Sequence, residues 1–372
     1  MLLIGAAPLP LLAAPNILLI LGDDMGSETL EVFGLADEYA RTQTLTQLAA
    51  SGVKFTHFWS QPTCSPTRAT IMTGRYGFRT GVGRPLNAGG PMPEPPAKPA
   101  SAPYERPGTG GGAGMGTGIL SYGLPEPEFT LGHALQAHPS NHYETGVIGK
   151  WHLGDAENGW LRHPAIAGID RYEAIPRGIQ SYFSWNKIVD GEVIGTTRYS
   201  ATDKVDAAID FIADQGSQAW FLWLGFTLPH APLHLPSQEL WQSDWSHIDP
   251  LADPVENPLP YFRAMIEAMD TEIGRLLAAI DPDVLANTYV IFLGDNGTSN
   301  NVAVPPYSRG RVKGSVYQGG VNVPLIVSGP DVARNATSDA LINSSDLFAT
   351  ILDMAELDVS DAVPDGVATD SV

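Results

Sequence analysis

The sequence is poor in cysteine and in basic residues, and each shortage excludes a class of protein. Cys64 is the one cysteine in 372 residues, so no disulfide can form within the chain. Lys and Arg total 21 against 41 Asp and Glu, which gives a formal net charge of -20 at pH 7. Nucleic acids and anionic membrane surfaces bind basic surfaces, so neither is predicted as a partner. An anionic substrate would need a local positive pocket in this negative chain.

Long hydrophobic runs are also missing, and no membrane span is predicted from residue 15 onwards. Residues 1–14 are apolar and rich in small side chains, but they lack the basic start of a secretory signal. Two interpretations stay open, the remnant of a signal peptide or an irregular start to the first strand. The first favours a periplasmic or secreted protein, and the second leaves the cytoplasm open.

Apolar runs alternate with amphipathic segments along the rest of the chain. Five continuous apolar runs predict strands buried on both sides, at residues 16–21, 144–148, 220–226, 288–293 and 323–327. Apolar residues three or four apart predict helices at residues 202–212, 261–280 and 345–357. This alternation predicts an α/β fold with a mostly parallel central sheet and helices on both faces.

The segment 84–118 differs from its surroundings because it is rich in Pro and Gly. We interpret it as a long irregular insertion. It closely follows the cysteine, so it either borders a substrate pocket or forms a solvated loop without a role.

Polar residues follow four of the predicted strands directly. They are Asp23 and Asp24, then Lys150 and His152, then His230, and finally Asp295 and Asn296. Each alone is typical of a turn, a helix cap or a surface position. Because the carboxyl ends of parallel strands meet at one edge, the set together predicts a single site there.

Carboxylate and amide oxygens are the metal ligands offered by the side chains of Asp23, Asp24, Asp295 and Asn296. Hard cations prefer oxygen ligands, whereas zinc draws more on Cys and His. The sequence therefore predicts one divalent cation, Ca²⁺ in preference to Mg²⁺.

A second group of residues surrounds the cysteine, in the run Cys64-Ser-Pro-Thr-Arg68. Residues 67–73 predict a short helix that ends at Gly74. Cys64 would then lie at a helix N-terminus, where an anion is favoured, and Arg68 could reach back to the same place. The alternative is that the cysteine is a small core residue.

The pattern C-x-P-x-R followed by T-G-R resembles the signature of type I sulfatases, in the alkaline phosphatase superfamily, and the layout most resembles their arylsulfatase branch. Further blocks resemble that family in the same order: DDMG from Asp23, GKWHLG from Gly149, PHAP from Pro229, GDNG from Gly294 and KG from Lys313. The resemblance extends from residue 16 to about residue 357, and it implies an alkaline-phosphatase-like catalytic domain over residues 15–360.

The resemblance also implies a chemistry. Cys64 would be oxidised by a separate maturation enzyme to formylglycine, whose hydrate attacks the sulfur of a small anionic sulfate ester, on an aryl group or a sugar. Asp23, Asp24, Asp295 and Asn296 would hold the cation together with residue 64. Arg68 and Lys150 would orient the hydrate, and His152 would act as the base that releases sulfate. His230 and Lys313 would bind the sulfate oxygens, and one of them would protonate the leaving group.

Some features depart from the family pattern. Residues 361–372 follow soon after the last predicted helix, and we interpret them as a truncated tail in place of the usual smaller C-terminal subdomain. Gln318 stands where the family often has Glu. Two alternatives therefore stay open, a phosphonate monoester or phosphodiester hydrolase of the same superfamily and an inactive remnant.

Overall fold

The computed structural model describes residues 14–87, 89–105, 122–137 and 143–371. The residues interpreted as a signal remnant, apart from Ala14, lie outside this range. The same is true of residues 106–118 of the predicted insertion. Residue 88 also lies outside this range, and the described residues of the insertion, 84–87 and 89–105, contain neither helix nor strand.

The described residues form one sheet, and its strands can be given in chain order. They are β1 (Asn16–Gly22), β2 (Val53–Trp59), β3 (Glu144–Lys150), β4 (Arg171–Ile175), β5 (Trp185–Val189), β6 (Glu192–Thr196), β7 (Trp220–Gly225), β8 (Thr288–Gly294), β9 (Leu325–Ser328) and β10 (Ala336–Asn343). Their order across the sheet is β10-β2-β9-β8-β1-β7-β3-β4-β5-β6. Only β5 and β9 of these strands run antiparallel to their neighbours. The predicted, mostly parallel sheet is therefore confirmed.

Helices cover the sheet. They are α1 (Gln43–Ser51), α2 (Cys64–Thr73), α3 (Gly77–Thr80), α4 (Leu131–Gln136), α5 (His163–Ile166), α6 (Ser200–Gln215), α7 (Pro258–Ala279), α8 (Pro282–Ala286), α9 (Gln318–Val321), α10 (Asp346–Met354) and α11 (Val359–Ala362). The helices predicted at 202–212, 261–280 and 345–357 are confirmed as α6, α7 and α10, with small shifts at their ends. Among the described residues, no helix has both the length and the apolar character that a membrane crossing requires.

Strand β1 shows why both faces of the sheet are buried. Leu18 and Ile20 belong to one hydrophobic core, which also contains the apolar stripe of α7. Leu19 and Leu21 point the other way and belong to a second core, which contains Phe348 of α10. Successive side chains of a strand alternate between the two faces, so a continuous apolar run fits a strand with a core on each side.

The parallel centre of the sheet brings the predicted site residues to one edge. Strand β1 pairs in parallel with β7 and with β8, and β3 pairs in parallel with β7. The last residue of β1, Gly22, lies opposite Gly294 at the end of β8. Asp23 and Asp295 therefore leave the sheet side by side, and Lys150 ends β3 at the same edge.

One close backbone approach at this edge requires glycine. Gly149 has a φ of +89°, and a Cβ built on it would lie 2.0 Å from the carbonyl oxygen of Gly225 on β7. A side chain here would adopt an unfavourable left-handed conformation and would also push the two strands apart. The pairing of β3 with β7 therefore requires glycine at the position before Lys150.

We expect Gly149→Ala to lower the free energy of unfolding by at least about 3 kcal/mol, because conformational strain and overpacking add. Gly81→Ala is the matched control, since Gly81 has a φ of +80° but no described atom within 4 Å of its added Cβ. It should cost only about 1 kcal/mol. Urea unfolding of both variants measures the difference, and equal losses would contradict the close approach.

Candidate active site

Carboxylates from two strand ends and the cysteine at the start of α2 form a compact cluster. Ligand atoms of Asp23, Asp24, Cys64 and Asp295 all lie within 4.8 Å of one another, and all four residues are buried. The backbone amide of Asp24 donates to Asp295 Oδ1 at 3.1 Å. Asp24 itself has a φ of +68°, a conformation that Asp tolerates better than most residues. The turn after β1 thereby aims both aspartates at the end of β8.

Asn296 adds an amide oxygen to the cluster. Its Nδ2 donates to Asp24 Oδ1 and to the carbonyl oxygen of Gly297, both at 2.9 Å. Its Oδ1 is buried and has no hydrogen-bond partner among the described residues. Buried polar atoms are normally satisfied, so this oxygen is available to a ligand. Three carboxylates and a free amide oxygen fit a hard divalent cation.

Each carboxylate of the cluster faces a cationic side chain from another part of the chain. Lys150 Nζ donates to Asp23 Oδ2 at 2.6 Å. Arg68 donates to Asp295 Oδ2 through Nε at 3.2 Å and through Nη2 at 2.8 Å. The third pair joins Lys313 Nζ to Asp24 Oδ1. Arg68 also donates through Nη1 to the carbonyl oxygen of Lys150, which ties α2 to the end of β3.

These pairs decide the charges in the cluster. Burial acts to raise the pKa of Asp23, but Lys150 and its other cationic neighbours lower it by more, and the net shift is downward. Burial likewise acts to raise the pKa of Asp24, but Lys313 and His230 together lower it by more, and the net shift is again downward. Burial and the charge of Asp23 raise the pKa of Asp295. A bound cation would therefore help most to keep Asp295 ionised.

Cys64 is the first residue of α2, as predicted, although the helix begins three residues earlier than the sequence suggested. Its Sγ lies 3.6 Å from Asp23 Oδ1 and 3.7 Å from Lys313 Nζ. Burial raises the pKa of the thiol to about 12, even though Lys150 and Lys313 act to lower it. At neutral pH this side chain is a protonated thiol and so a weak nucleophile.

His152 is buried and held in one orientation. Its Nε2 lies 3.2 Å from the carbonyl oxygen of Leu86, so this nitrogen must carry the proton. Its Nδ1 is buried without a partner in the described part of the chain, which leaves a free lone pair. Burial, and next the charge of Lys150, hold the pKa of His152 well below its ordinary value. The imidazole is therefore a neutral acceptor.

His230 lies at the more open side of the cluster. Its Nε2 is 3.8 Å from Asp24 Oδ2, and its Nδ1 is 2.6 Å from the carbonyl oxygen of Ala231. The side chains of His230 and Lys313 are 16% and 13% exposed, whereas those of Lys150 and Arg68 are at most 1% exposed. A small molecule can therefore approach from the side of His230 and Lys313.

The structure brings together all the predicted site residues. It also adds residues that the sequence did not indicate. Ser299 donates a hydrogen bond from its hydroxyl to Asp24 Oδ2, and Leu86 contacts His152 through its backbone. The hydroxyl of Tyr182 donates to the carbonyl oxygen of His230. Of these added residues, only Ser299 could have been suspected from the sequence, because it is a polar residue three positions after Asn296.

We expect Asp24→Asn to weaken Ca²⁺ binding by at least about tenfold, because it removes a charged oxygen from a buried ligand set. Titration calorimetry with Ca²⁺ alone measures this without any substrate. Asp339→Asn, which neutralises an exposed carboxylate on β10, is the control and should bind as the unaltered protein does. Equal affinity of the two variants would remove Asp24 from the ligand set.

The sequence was compared with protein-family models and with known proteins. A family model described as Sulfatase matches residues 15–357. The chain is 28% identical over 400 residues to N-acetylgalactosamine-6-sulfatase of Sus scrofa, covering 98% of this chain and 66% of that protein. It is also 28% identical to arylsulfatase G of Rattus norvegicus, covering 92% of this chain and 65% of that protein. The chain thus spans just under two thirds of the length of these relatives.

A solved structure shows the same fold. The structure of Ps i-CgsB in complex with k-i-k-neocarrahexaose superposes with a TM-score of 0.73 at 22% sequence identity. The match covers 94% of this chain and 74% of that one.

Proposed function

The chain belongs to the sulfatase family, and from that membership we propose that it hydrolyses an organic sulfate ester. One observation carries the proposal. Three buried carboxylates, each paired with a cationic side chain, surround Cys64 at the carboxyl edge of the sheet. This arrangement offers a cation site and an anion site side by side, which the hydrolysis of an anionic ester requires.

The cation site is assigned to Asp23, Asp24, Asp295 and Asn296, with residue 64 beside them. Ca²⁺ is the favoured ion, because Ca²⁺ accepts many protein oxygens in flexible geometry whereas Mg²⁺ tends to keep several waters. A bound divalent cation supplies electrostatic stabilisation of the negative charge that develops on oxygen during the reaction. Arg68 and Lys150 orient this set through Asp295 and Asp23.

The nucleophile is assigned to residue 64 after oxidation of Cys64 by a separate maturation enzyme. A buried thiol with a pKa of about 12 is not poised to attack, which favours a modified side chain. A formylglycine hydrate supplies two hydroxyls on one carbon, one to attack sulfur and one whose deprotonation releases sulfate and restores the aldehyde. In this proposal those hydroxyls would take the position of the Cys64 Sγ atom, 3.6 Å from Asp23 Oδ1.

The two histidines are assigned to proton transfer, and Lys313 is assigned to sulfate binding. The free Nδ1 lone pair of His152 accepts the proton from the hydroxyl at residue 64. Burial acts to lower the pKa of Lys313, but Asp24 and its other anionic neighbours together raise it by more, so Lys313 keeps its proton and binds a sulfate oxygen. This leaves His230 to protonate the oxygen of the leaving alcohol. His230 also lies on the open side, where the organic group would be placed.

The names of the relatives support a proposal for the substrate class and the location. Their names indicate sulfated carbohydrates and aryl sulfates, and one solved relative was crystallised with an oligosaccharide. We propose a small anionic sulfate ester of one of these kinds. A periplasmic or secreted location fits such a substrate. The catalytic domain is assigned to residues 15–360.

We expect the matured protein to hydrolyse 4-nitrophenyl sulfate and Cys64→Ala to lose that turnover by at least about 10³-fold, because no nucleophile remains. Ca²⁺ affinity and the unfolding midpoint should change little. Peptide mass spectrometry over residue 64 checks that the thiol sulfur has been replaced by an aldehyde oxygen. Protein made without the maturation enzyme is the control and should be inactive.

Turnover of an aryl phosphodiester, measured in parallel, distinguishes a sulfatase from a phosphodiester hydrolase of the same superfamily. Faster turnover of the phosphodiester than of the sulfate would overturn the proposed substrate class. Turnover of 4-nitrophenyl sulfate by Cys64→Ala at near the full rate would overturn the proposed nucleophile.

A further inference from the structure

A buried tyrosine holds the turn that carries His230. Tyr182 is fully buried, and its hydroxyl lies 2.7 Å from the carbonyl oxygen of His230. The same hydroxyl contacts the carbonyl oxygen of Thr227. The amide of His230 in turn donates to Thr227 at 3.0 Å. Tyr182 thus fixes both ends of the turn formed by residues 227–230.

The same turn contacts the cation site. The amide of Asp23 donates to the carbonyl oxygen of Leu228 at 2.9 Å. A shift of this turn would therefore move His230 relative to Asp24, whose Oδ2 is 3.8 Å from His230 Nε2. Small displacements of a catalytic group cost much of its effect, because its proton transfer needs close contact with the substrate.

Tyr182 is itself anchored by the Pro- and Gly-rich segment. The buried carboxylate of Glu105 accepts two hydrogen bonds. The backbone amide of Tyr182 donates to Oε1, and the hydroxyl of Ser181 donates to Oε2. Lys98 lies 3.3 Å from the same Oε2. One side chain of the segment therefore fixes the backbone at residues 181–182.

The beginning of the same segment contacts the other histidine. The amide of Leu86 donates to Ser65 Oγ at 3.0 Å, next to Cys64, and its carbonyl oxygen lies 3.2 Å from His152 Nε2. Residues 86 and 105 are thus each linked to a different histidine of the site. These contacts favour a role at the site for the described part of the segment.

We propose that Tyr182, anchored by Glu105, is a positioning residue for His230. The inference rests on the proposed function, in which His230 contacts the sulfate ester and protonates its leaving oxygen. Tyr182 acts through the carbonyl oxygens of Thr227 and His230, which its hydroxyl contacts. Loss of the Tyr182 hydroxyl should therefore affect only the steps that depend on His230.

The test uses Tyr182→Phe, which removes a single hydroxyl, in the matured, Ca²⁺-loaded chain. Affinity for inorganic sulfate, measured by calorimetry, should fall about fivefold, the scale of one lost hydrogen bond. Phenyl sulfate, with its poorer leaving group, should lose more kcat/KM than 4-nitrophenyl sulfate. Tyr199→Phe is the control, because Tyr199 lies in the same aromatic cluster but bonds to His234 at 2.9 Å. It should change sulfate affinity less than about twofold.

A double-mutant cycle decides whether Tyr182 acts through His230. In a His230→Gln background, Tyr182→Phe should have no further effect on sulfate affinity or on the ratio of the two substrates. Equal additional losses in both backgrounds would overturn the proposal. Should Tyr182→Phe fail to fold, Glu105→Ala replaces it in the same cycle with the same two outcomes.

Sulfate binding needs no turnover, so the two proposals fail in different ways. An inactive protein that binds sulfate with the predicted coupling would overturn the sulfatase activity alone. An active protein without that coupling would overturn only the role of Tyr182.

Discussion

The active-site edge depends on the pairing of buried opposite charges that come from distant parts of the chain. Asp23 is paired with Lys150, Asp24 with Lys313, and Asp295 with Arg68. Removing one partner of a buried pair typically costs about 3–5 kcal/mol, because it leaves a charge without compensation. These pairs join the ends of β1, β3 and β8 to the start of α2 and to the loop before α9. The geometry of the site and the local fold are therefore stabilised by the same contacts.

The pairing also explains how a chain with a net charge of -20 could bind the proposed anionic substrate. The acidic residues at the centre of the site hold lysines and an arginine in a buried place, where they remain protonated. Those cations then face residue 64 and its surroundings. The field that a substrate meets is local, and it depends on a few side chains within hydrogen-bond distance and not on the overall charge.

Part of this could be predicted from the sequence. The central strands were predicted because continuous apolar runs fit burial on both faces, and the site residues because they follow those runs directly. The sequence analysis predicts none of the outer strands β2, β4, β5, β6 and β10, because they lack a continuous apolar run. The edge strands β6 and β10 also have mostly exposed or half-buried residues. The partner of each carboxylate could not be predicted either, because pairs such as Arg68 and Asp295 are separated by 227 positions. The roles of Leu86 and Tyr182 depend on backbone carbonyl groups, which leave no trace in residue type.

We propose that a hard cation, residue 64 and the paired charges lie together at this edge of the sheet. The test is a crystal structure of the matured chain with Ca²⁺ and sulfate. We expect one ion bound by oxygens of Asp23, Asp24, Asp295 and Asn296 at about 2.3–2.6 Å, with sulfate between residue 64 and Lys313. An ion bound elsewhere, or an Asn296 amide oxygen turned away from an ion at this edge, would show that these residues do not form the cation site.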